Sequence, residues 1–238
     1  MSLTYAQWSN QVANLASIPV TDPNFQQMLP SAIDDTEQSL YRTLDLLNTI
    51  TRDSSAALTA GLRTFNLPSS IGTFVVTEQI NVITPSSQSN PDLGRRNTLL
   101  PASKEYLDTT WNSVNGSTVP QYFAMITQNQ IVVGPWPDQS YPVEVVGTIR
   151  PQPLSTTNVT TLLSVYFPDL MISRAMEFVT GYMKNYGMTV DDPKQGVSWA
   201  SHTQMLLQSA QTEEQRKKFA SQGWSSKEPA PLATPLRT

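Results

Sequence analysis

The segment IVVGPWPDQSYPVEVVG, residues 131–147, decides the fold class because two β-strand patterns flank a stretch of turn residues. It begins with three β-branched residues, and towards its end Tyr141, Val143 and Val145 alternate with other residues. The residues between contain glycine, proline and aspartate, which favour turns. The segment therefore predicts a β-hairpin whose tip is stiffened by proline.

The tip of this segment contains Trp136-Pro137-Asp138, the tripeptide that carries the general acid of tyrosine phosphatases. That chemistry requires a cysteine thiolate as the nucleophile, and the chain of 238 residues contains no cysteine. A phosphatase of this class is therefore excluded. We interpret Trp136 as a packing residue at the base of the loop and Asp138 as a turn residue, not an acid catalyst.

The composition favours assembly with other protein surfaces. Only 14% of the residues are charged, against roughly 25% in ordinary soluble domains. The hydrophobic fraction of 39% is sufficient for a folded core. Because the cores of protein interfaces are depleted of charge, a surface with so few charges suits contact with neighbouring subunits.

The charge pattern also bears on where the protein is made. The formal net charge is −4, and residues 1–41 contain four acidic residues and no lysine or arginine. This segment lacks the basic start of a secretory signal, and no apolar run reaches the roughly 20 residues that span a bilayer. We expect a soluble product of the host cytoplasm. The absence of cysteine excludes disulfides and thiolate metal sites.

Both ends of the chain predict helices. After the cap residue Thr4, apolar residues recur at helical spacing at Tyr5, Trp8, Val12 and Leu15. A second, long or kinked helix extends to about Leu47, with apolar positions Phe25, Met28, Leu29, Ile33, Leu40, Leu44 and Leu47 interrupted by Pro30. Near the other end, residues 169–186 predict a helix with a wide apolar face, and Pro193 begins a more polar helix that continues to Phe219.

The middle of the chain has the period of β-strands. Alternation predicts strands around residues 74–82 and 122–126, and residues 56–65 predict a further hairpin that turns at Ala60-Gly61. Residues 103–111 predict a short helix within this region. After residue 220 the chain has prolines at 229, 231 and 235 and no periodicity, which is typical of an extended tail.

These patterns together predict an α+β fold. N-terminal helices (residues 1–50) and C-terminal helices (166–220) form one helical bundle, which packs against a central antiparallel β subdomain with a helical insert (51–165). An extended tail, residues 221–238, follows the bundle.

The residue types that carry catalysis are scarce. The single histidine, His202, falls on the helical stripe of Trp199 and Leu206, where a packed or half-exposed histidine is the usual case. Adjacent carboxylates such as Asp191 and Asp192 do not face each other on a helix and make poor metal ligands. There is no glycine-rich phosphate loop and no nucleophile elbow. We therefore expect no catalytic, metal or cofactor site, and no enzymatic activity.

The order of short motifs resembles the head-to-tail adaptor, or connector, proteins of short-tailed phages. The resemblance covers residues 1 to about 190 and rests on a helix after the N-terminal arm (25–44), Leu67-Pro68, the segments 120–123 and 131–137, residues 148–154 (TIRPQPL), and Tyr166 to Leu170 (YFPDL).

This resemblance implies a structural virion protein of the phage tail at the head-to-tail junction. Such proteins form homo-oligomeric rings, here expected to be dodecameric to match the portal, and they enclose the DNA channel through which the genome is ejected. The implied partners are further copies of the chain, the portal protein and the tail nozzle or tube protein, with non-specific passage of DNA and no membrane.

Two groups of residues are candidates for contacts in such a particle. Asp34, Asp35 and Glu37 lie on one helical segment and, repeated around a ring, would concentrate negative potential on a channel wall; a solvated outer face is the alternative. In the tail, Trp224, Leu232 and Leu236 are apolar anchors for a neighbouring subunit or partner.

Two other functions remain open from the sequence. A different ring-forming tail component, such as a tail terminator or nozzle subunit, would have a similar composition. A carbohydrate-active tail enzyme could use Trp136, Trp111 and Tyr141 as sugar platforms together with a carboxylate pair.

Overall fold

The structure, a computed structural model, describes residues 2–88, 90–184 and 193–221. The helices are α1 (Tyr5–Ala16), α2 (Pro23–Thr43), α3 (Lys104–Thr110), α4 (Leu162–Tyr166), α5 (Pro168–Lys184) and α6 (Pro193–Ser221). The strands are β1 (Ile50–Ala57), β2 (Thr64–Asn66), β3 (Gly72–Thr84), β4 (Arg95–Thr98), β5 (Leu100–Pro101), β6 (Tyr122–Met125), β7 (Gln130–Gly134) and β8 (Pro142–Pro151). The prediction of an α+β fold is confirmed.

Local side-chain chemistry sets the starts of the two N-terminal helices. Thr4 caps α1 in a reciprocal capping box with Gln7, as the sequence predicts. Asp22 caps α2, and its carboxylate accepts hydrogen bonds from the amides of Asn24 and Phe25. The helix α2 contains Pro30 and ends at Thr43, earlier than the predicted end near Leu47.

All the described helices except α3 share one apolar core. Fully buried side chains from α1, α2 and α5 form its centre, and α6 packs on α5 with Trp199, Leu206 and Leu207 partly buried. The stripes at both ends of the sequence therefore pack together, because each helix must cover an apolar face. The bundle begins and ends the described chain and brackets the β region.

The β region consists of two sheets with a common core. Sheet A has the strand order β1-β8-β3-β4 and sheet B has the order β2-β7-β6-β5. Neighbouring strands are antiparallel except β5 and β6, which are parallel. Apolar residues from both sheets, among them Phe74, Val145 and Ile131, form one buried cluster. The helix α3 covers the opposite face of sheet B through Leu107.

Both predicted hairpins are wrong, although their strands exist. In the segment 56–65, β1 pairs with β8 in sheet A and β2 pairs with β7 in sheet B. In the segment 131–147, β7 lies in sheet B and β8 lies in sheet A. Each turn therefore crosses from one sheet to the other, which lets both strands bury apolar side chains in the core between the sheets.

Residues 152–161 connect the two halves of the molecule, because they join β8 to α4. This connection also receives the N-terminus: the amide of Tyr5 donates to the carbonyl of Val159 at 2.9 Å, and the amide of Leu3 donates to Ser164 at 2.8 Å. The start of the chain, the end of β8 and α4 thus meet at one place. The proposed boundaries at residues 50, 165 and 220 stay a prediction.

Candidate interaction surfaces

A buried carboxylate holds the connection to the helical bundle. Glu37 of α2 is 3% exposed, and its two oxygens accept hydrogen bonds from Thr161 Oγ1 at 2.9 Å and from the amide of Leu154 at 3.2 Å. These two partners lie near opposite ends of the connection, so one side chain fixes both ends against α2. Thr161 is also the cap residue of α4.

Burial raises the pKa of Glu37 to about 7. The hydrogen bonds from Thr161 and Leu154 lower that pKa, and the nearby carboxylate of Asp34 raises it, but loss of hydration has the largest effect. The neighbouring Tyr41 is also affected, because burial and then the charge of Glu37 raise its pKa. The junction therefore contains a carboxyl group that titrates near neutral pH.

The three acidic residues predicted to face a channel do not share one surface. Asp34 is exposed, and Asp35 forms an ion pair with Arg174 of α5 at 3.0 Å. Glu37 is buried inside the chain, so its charge is not part of an exposed acidic cluster. Only Asp34 and Asp35 remain candidates for a channel wall, and their orientation in a particle stays a prediction.

An open groove of about 670 Å³, the α4 groove, lies beside this junction. Its walls come from the end of β8, the connection, α4 and the turn before β3, and its lining residues are Ser70, Ile71, Pro151, Gln152, Thr157, Asn158, Thr160, Thr161, Leu162, Val165 and Tyr166. None of these residues is formally charged. The groove can therefore hold an apolar or uncharged segment without desolvating an ion.

The outer face of sheet A carries a charge network that its own side chains complete. Glu144 of β8, 2% exposed, accepts hydrogen bonds from Arg96 Nε at 3.0 Å and from Asn81 Nδ2 at 2.9 Å. Asp92 lies between two arginines, at 2.8 Å from Arg52 and 2.9 Å from Arg96. We call these five residues the sheet-A network.

The network keeps Glu144 ionised. Burial alone would raise the pKa of Glu144, but the hydrogen bonds from Arg96 and Asn81 and the charges of Arg96 and Arg52 outweigh it and hold the pKa below its usual value. The same two arginines lower the pKa of Asp92, with the hydrogen bond from Arg52 as the largest cause. Two positive and two negative charges balance on this face.

The outer face of α6 has a different composition. Val197, Met205 and Phe219 are 67%, 63% and 64% exposed, and at about 100° per residue they fall within about 80° of one another around the helix. This direction is opposite to the one in which Trp199, Leu206 and Ala210 pack on the bundle. Residues 197–212 contain no Asp, Glu, Lys or Arg. We call this surface the α6 outer face.

The residues of the phosphatase-like tripeptide are structural. Trp136 Nε1 donates a hydrogen bond to the carbonyl of Trp111 at 2.9 Å, and the guanidinium of Arg63 lies 5.3 Å from the centre of its ring. The interpretation of Trp136 as a packing residue is confirmed. Asp138 lies in the turn and accepts a hydrogen bond from the hydroxyl of Tyr141 at 2.7 Å. Burial and this carboxylate raise the pKa of Tyr141 to about 12.

The single histidine contacts a serine, but the pair is not an accessible nucleophile. His202 Nδ1 lies 3.1 Å from Ser173 Oγ, which is also 2.9 Å from Thr203 Oγ1. Ser173 is 1% exposed, so a substrate cannot reach its hydroxyl. In the described ranges, no three His, Asp or Glu residues are grouped as a metal site would require.

The tail candidates Trp224, Leu232 and Leu236 lie outside the described residues. Of the helices in the described part of the chain, none combines the length and the apolar character needed to cross a membrane.

Sequence reasoning missed the junction carboxylate and the sheet-A network. A signal for Glu37 was present, because it continues the helical spacing between Ile33 and Leu40 and so occupies a core position of α2. The sheet-A network carried no such signal, because Glu144 and Arg96 are 48 residues apart and meet only when β8, β3 and β4 pair.

The comparisons with known proteins agree with the resemblance seen in the motifs. No curated protein matches the chain. A family model described as SU10 adaptor protein matches residues 3–229, which covers both sheets and every described helix. The chain therefore belongs to the SU10 adaptor protein family.

Proposed function

We propose that this protein is the subunit of a homo-oligomeric ring that joins the portal to the tail nozzle around the DNA channel of a phage. Membership of the family indicates a phage structural adaptor, a virion component that contacts other virion components. The ring, its position at the head-to-tail junction, its non-enzymatic role and its expected dodecameric symmetry are our proposal.

The observation that carries this proposal is the α6 outer face. Three large apolar side chains stand on it with more than half of each exposed. Burial of these side chains against a partner is favourable, by roughly 25 cal/mol for each Å² of apolar surface removed from water. The helix thus offers a surface that gains stability from a partner.

A neighbouring copy of the chain is the occupant that we assign to this face. In a ring, every copy uses one surface against the next copy and a different surface against the previous one, so no self-complementary patch is needed. DNA fits the face poorly, because residues 197–212 offer no lysine or arginine to the phosphates and Arg216, near Phe219, adds a single positive charge at one end. If the portal or a tail protein covered the face instead, a thiol placed at Met205 would be protected only when that partner is present.

The acidic residues of α2 supply a second expectation about the ring. If Asp34 lines the channel, its repeated charge repels the DNA backbone and keeps the genome from sticking during ejection. Asp34→Lys then slows genome ejection from intact particles. Gln38→Lys, one helical turn away and hydrogen-bonded to Asp34, tests whether the effect belongs to the whole face. Unchanged ejection with Asp34→Lys removes the channel assignment.

Electron microscopy of purified portal rings mixed with this protein tests the proposal. An adaptor decorates one end of the portal ring with a second ring. A tail terminator or nozzle subunit forms rings of its own and leaves the portal bare. Glycan cleavage that is lost in Asp138→Asn, with no rings at all, would instead support the carbohydrate-active enzyme.

A further inference from the structure

We propose that the C-terminal segment of this chain, residues 222–238, docks in the α4 groove of its own subunit. The inference concerns a site within one chain and does not depend on the ring. Its basis is the form of the groove, the absence of charge in it, and the place where α6 ends.

The groove is preformed by hydrogen bonds within its walls. Asn158 Nδ2 donates to the carbonyls of Gln152 at 2.8 Å and Pro153 at 3.1 Å, which closes the connection on itself. The hydroxyl of Thr161 donates a hydrogen bond to the buried carboxylate of Glu37, which fixes it against α2. A segment that enters the groove therefore meets a surface that is already ordered, and less conformational entropy is lost on docking.

The apolar parts of the groove are open. Ile71 and Tyr166 are 42% and 55% exposed, and both belong to its lining. An aromatic ring beside uncharged polar groups is the surface that proline-rich segments select, because their extended backbone is already stiff and its carbonyls are free to accept hydrogen bonds.

The C-terminal segment supplies a matching ligand. Residues 229–236 read PAPLATPL, eight uncharged residues with three prolines and two leucines. In polyproline geometry, with three residues per turn, Pro229, Leu232 and Pro235 fall on one edge. The formal charges of the segment, on Lys227, Glu228 and Arg237, lie outside this stretch.

The end of α6 brings the segment to the groove. Lys217 Nζ lies 5.9 Å from the ring centre of Tyr166, and the helix ends at Ser221, four positions after Lys217. Residues 222–228 can then span about 20 Å in extended form, at about 3.1 Å per residue, before the uncharged stretch begins. The entry point and the reach therefore fit docking within one chain.

A second cleft, of about 400 Å³, also lies near the end of α6. Lys218 contacts Asp45, one of its lining residues. This cleft also includes Arg42 and Arg150, so an uncharged segment would cover ionised groups there without satisfying them. The α4 groove has no such cost, and we assign the segment to it.

Disulfide trapping in the full-length protein tests the assignment, because the natural chain has no cysteine to interfere. The test pair is Thr157→Cys with Ala233→Cys, and the matched control is Val75→Cys with Ala233→Cys. Val75 is an exposed residue of the second cleft. Oxidation is carried out on the monomer fraction at low concentration, and intramolecular links are identified by mass spectrometry.

We expect the groove pair to form an intramolecular disulfide at least about tenfold faster than the control, because docking raises the effective concentration of the second thiol. Adding Tyr166→Ala should slow this several-fold, because it removes the aromatic ring against which the segment packs. Tyr106→Ala, at a comparably exposed tyrosine outside the groove, should not slow it. Equal rates for the two pairs, faster linkage to the second cleft, or links only between different chains would overturn the proposal. Portal decoration is scored separately, so its failure does not affect this result.

Discussion

The outer face of sheet A and the α6 outer face are both surfaces of the same folded chain, but they differ in how their side chains are satisfied. Side chains on sheet A find their partners within the chain, whereas the large side chains on α6 are left exposed. On sheet A, Arg52, Arg96, Asp92 and Glu144 pair with one another and leave no unbalanced charge. On α6, the large side chains are apolar, exposed and without ionic neighbours over residues 197–212. The difference indicates that the sheet-A network stabilises the subunit itself, whereas the α6 outer face is the surface that we propose a neighbouring copy covers. Substitutions on the α6 outer face should therefore weaken assembly, whereas substitutions in the sheet-A network should lower the stability of the folded subunit.

The largest expected effect is on assembly, from Met205→Glu combined with Phe219→Glu. Two charges on the α6 outer face must be desolvated when it is covered, so the protein concentration needed for assembly should rise at least about a hundredfold. The free energy of unfolding of the monomer should change by less than about 0.5 kcal/mol, because both side chains are exposed. Portal decoration and chemical denaturation measure the two quantities.

A matched control carries the same charges elsewhere. Leu93→Glu combined with Val114→Glu also replaces two exposed apolar residues, and assembly should proceed as in the natural protein. If the control variant blocks assembly as strongly as the α6 variant, the effect is not specific to the α6 outer face, and that face is not identified as the assembly surface.

For Glu144→Ala in the sheet-A network we expect the opposite result, a large loss of folding stability rather than a specific loss of assembly. This change leaves Asn81 without its acceptor and places Arg96 and Arg52 together without the buried carboxylate, so stability should fall by about 3 kcal/mol. Solvent around the partly exposed arginines keeps the loss at the low end of the usual range. Glu78→Ala, at an exposed position of β3, should cost less than about 0.5 kcal/mol. A loss of similar size in both variants would show that the network is not stabilising.

The third expectation concerns pH and distinguishes Glu37 from Glu144. Glu37 has its pKa raised from 4.5 to about 7 in the folded chain, so between these values the folded state binds more protons than the unfolded state. The free energy of unfolding should therefore fall as pH rises from about 4.5 to about 7, by at most about 3 kcal/mol, and level off above. Glu144, whose pKa is lowered, contributes stability that is present above the ordinary carboxyl pKa of 4.5 and is lost as pH falls from there through its lower folded pKa.

Glu37→Gln isolates this contribution, since an amide does not titrate. Denaturation curves collected from pH 4.5 to pH 8 should show a smaller decline for Glu37→Gln than for the natural protein. Parallel curves for the two proteins would mean that Glu37 is not a protonated group at the junction.

The smallest effects are expected at the two residues that first suggested catalysis. His202→Ala and Asp138→Asn should leave ring assembly and phage infectivity near those of the natural protein. The first loses one contact to Ser173, and the second weakens one hydrogen bond from Tyr141, each worth about 1 kcal/mol. Complete loss of infectivity with normal folding and assembly would contradict the structural role.

The sequence predicts the elements of this fold better than their partners. The helix starts at Thr4 and Pro193, the short helix α3 and the strands β3, β6, β7 and β8 were recognisable from local patterns, whereas β4, β5 and most of β1 were not predicted. The two hairpins were predicted wrongly, because pairing depends on contacts far along the chain. The strand β1 pairs with β8, which lies about 90 residues later in the chain, and in this register Ile50 lies beside Thr148. No local turn signal contains that information.

The candidate interaction surfaces, like the strand pairing, could be predicted from the sequence only in part. Low charge and the family motifs predicted an assembling adaptor, and the family is confirmed. The acidic cluster of α2 appeared as one unit in the sequence, but the helix turns Glu37 into the core and leaves Asp34 outside. Helical spacing separates two apolar sides of α6, but only the packing of Trp199 and Leu206 on the bundle shows that the side with Met205 stays exposed.

Thiol labelling tests the contrast between the two faces most directly. Single cysteines are placed at Met205 on α6 and at Glu78 on sheet A, in separate variants of the cysteine-free chain, and alkylation rates are compared for the free subunit and for the portal-bound ring. We expect the rate at position 205 to fall at least about tenfold on assembly, because a covered side chain is inaccessible to the reagent, while the rate at position 78 stays within about twofold. If a neighbouring subunit covers the face, the cysteine at position 205 should also be protected in rings formed without the portal. Protection that appears only when the portal is present would assign the face to the portal protein. An unchanged rate at 205 in a fully decorated portal would contradict the account.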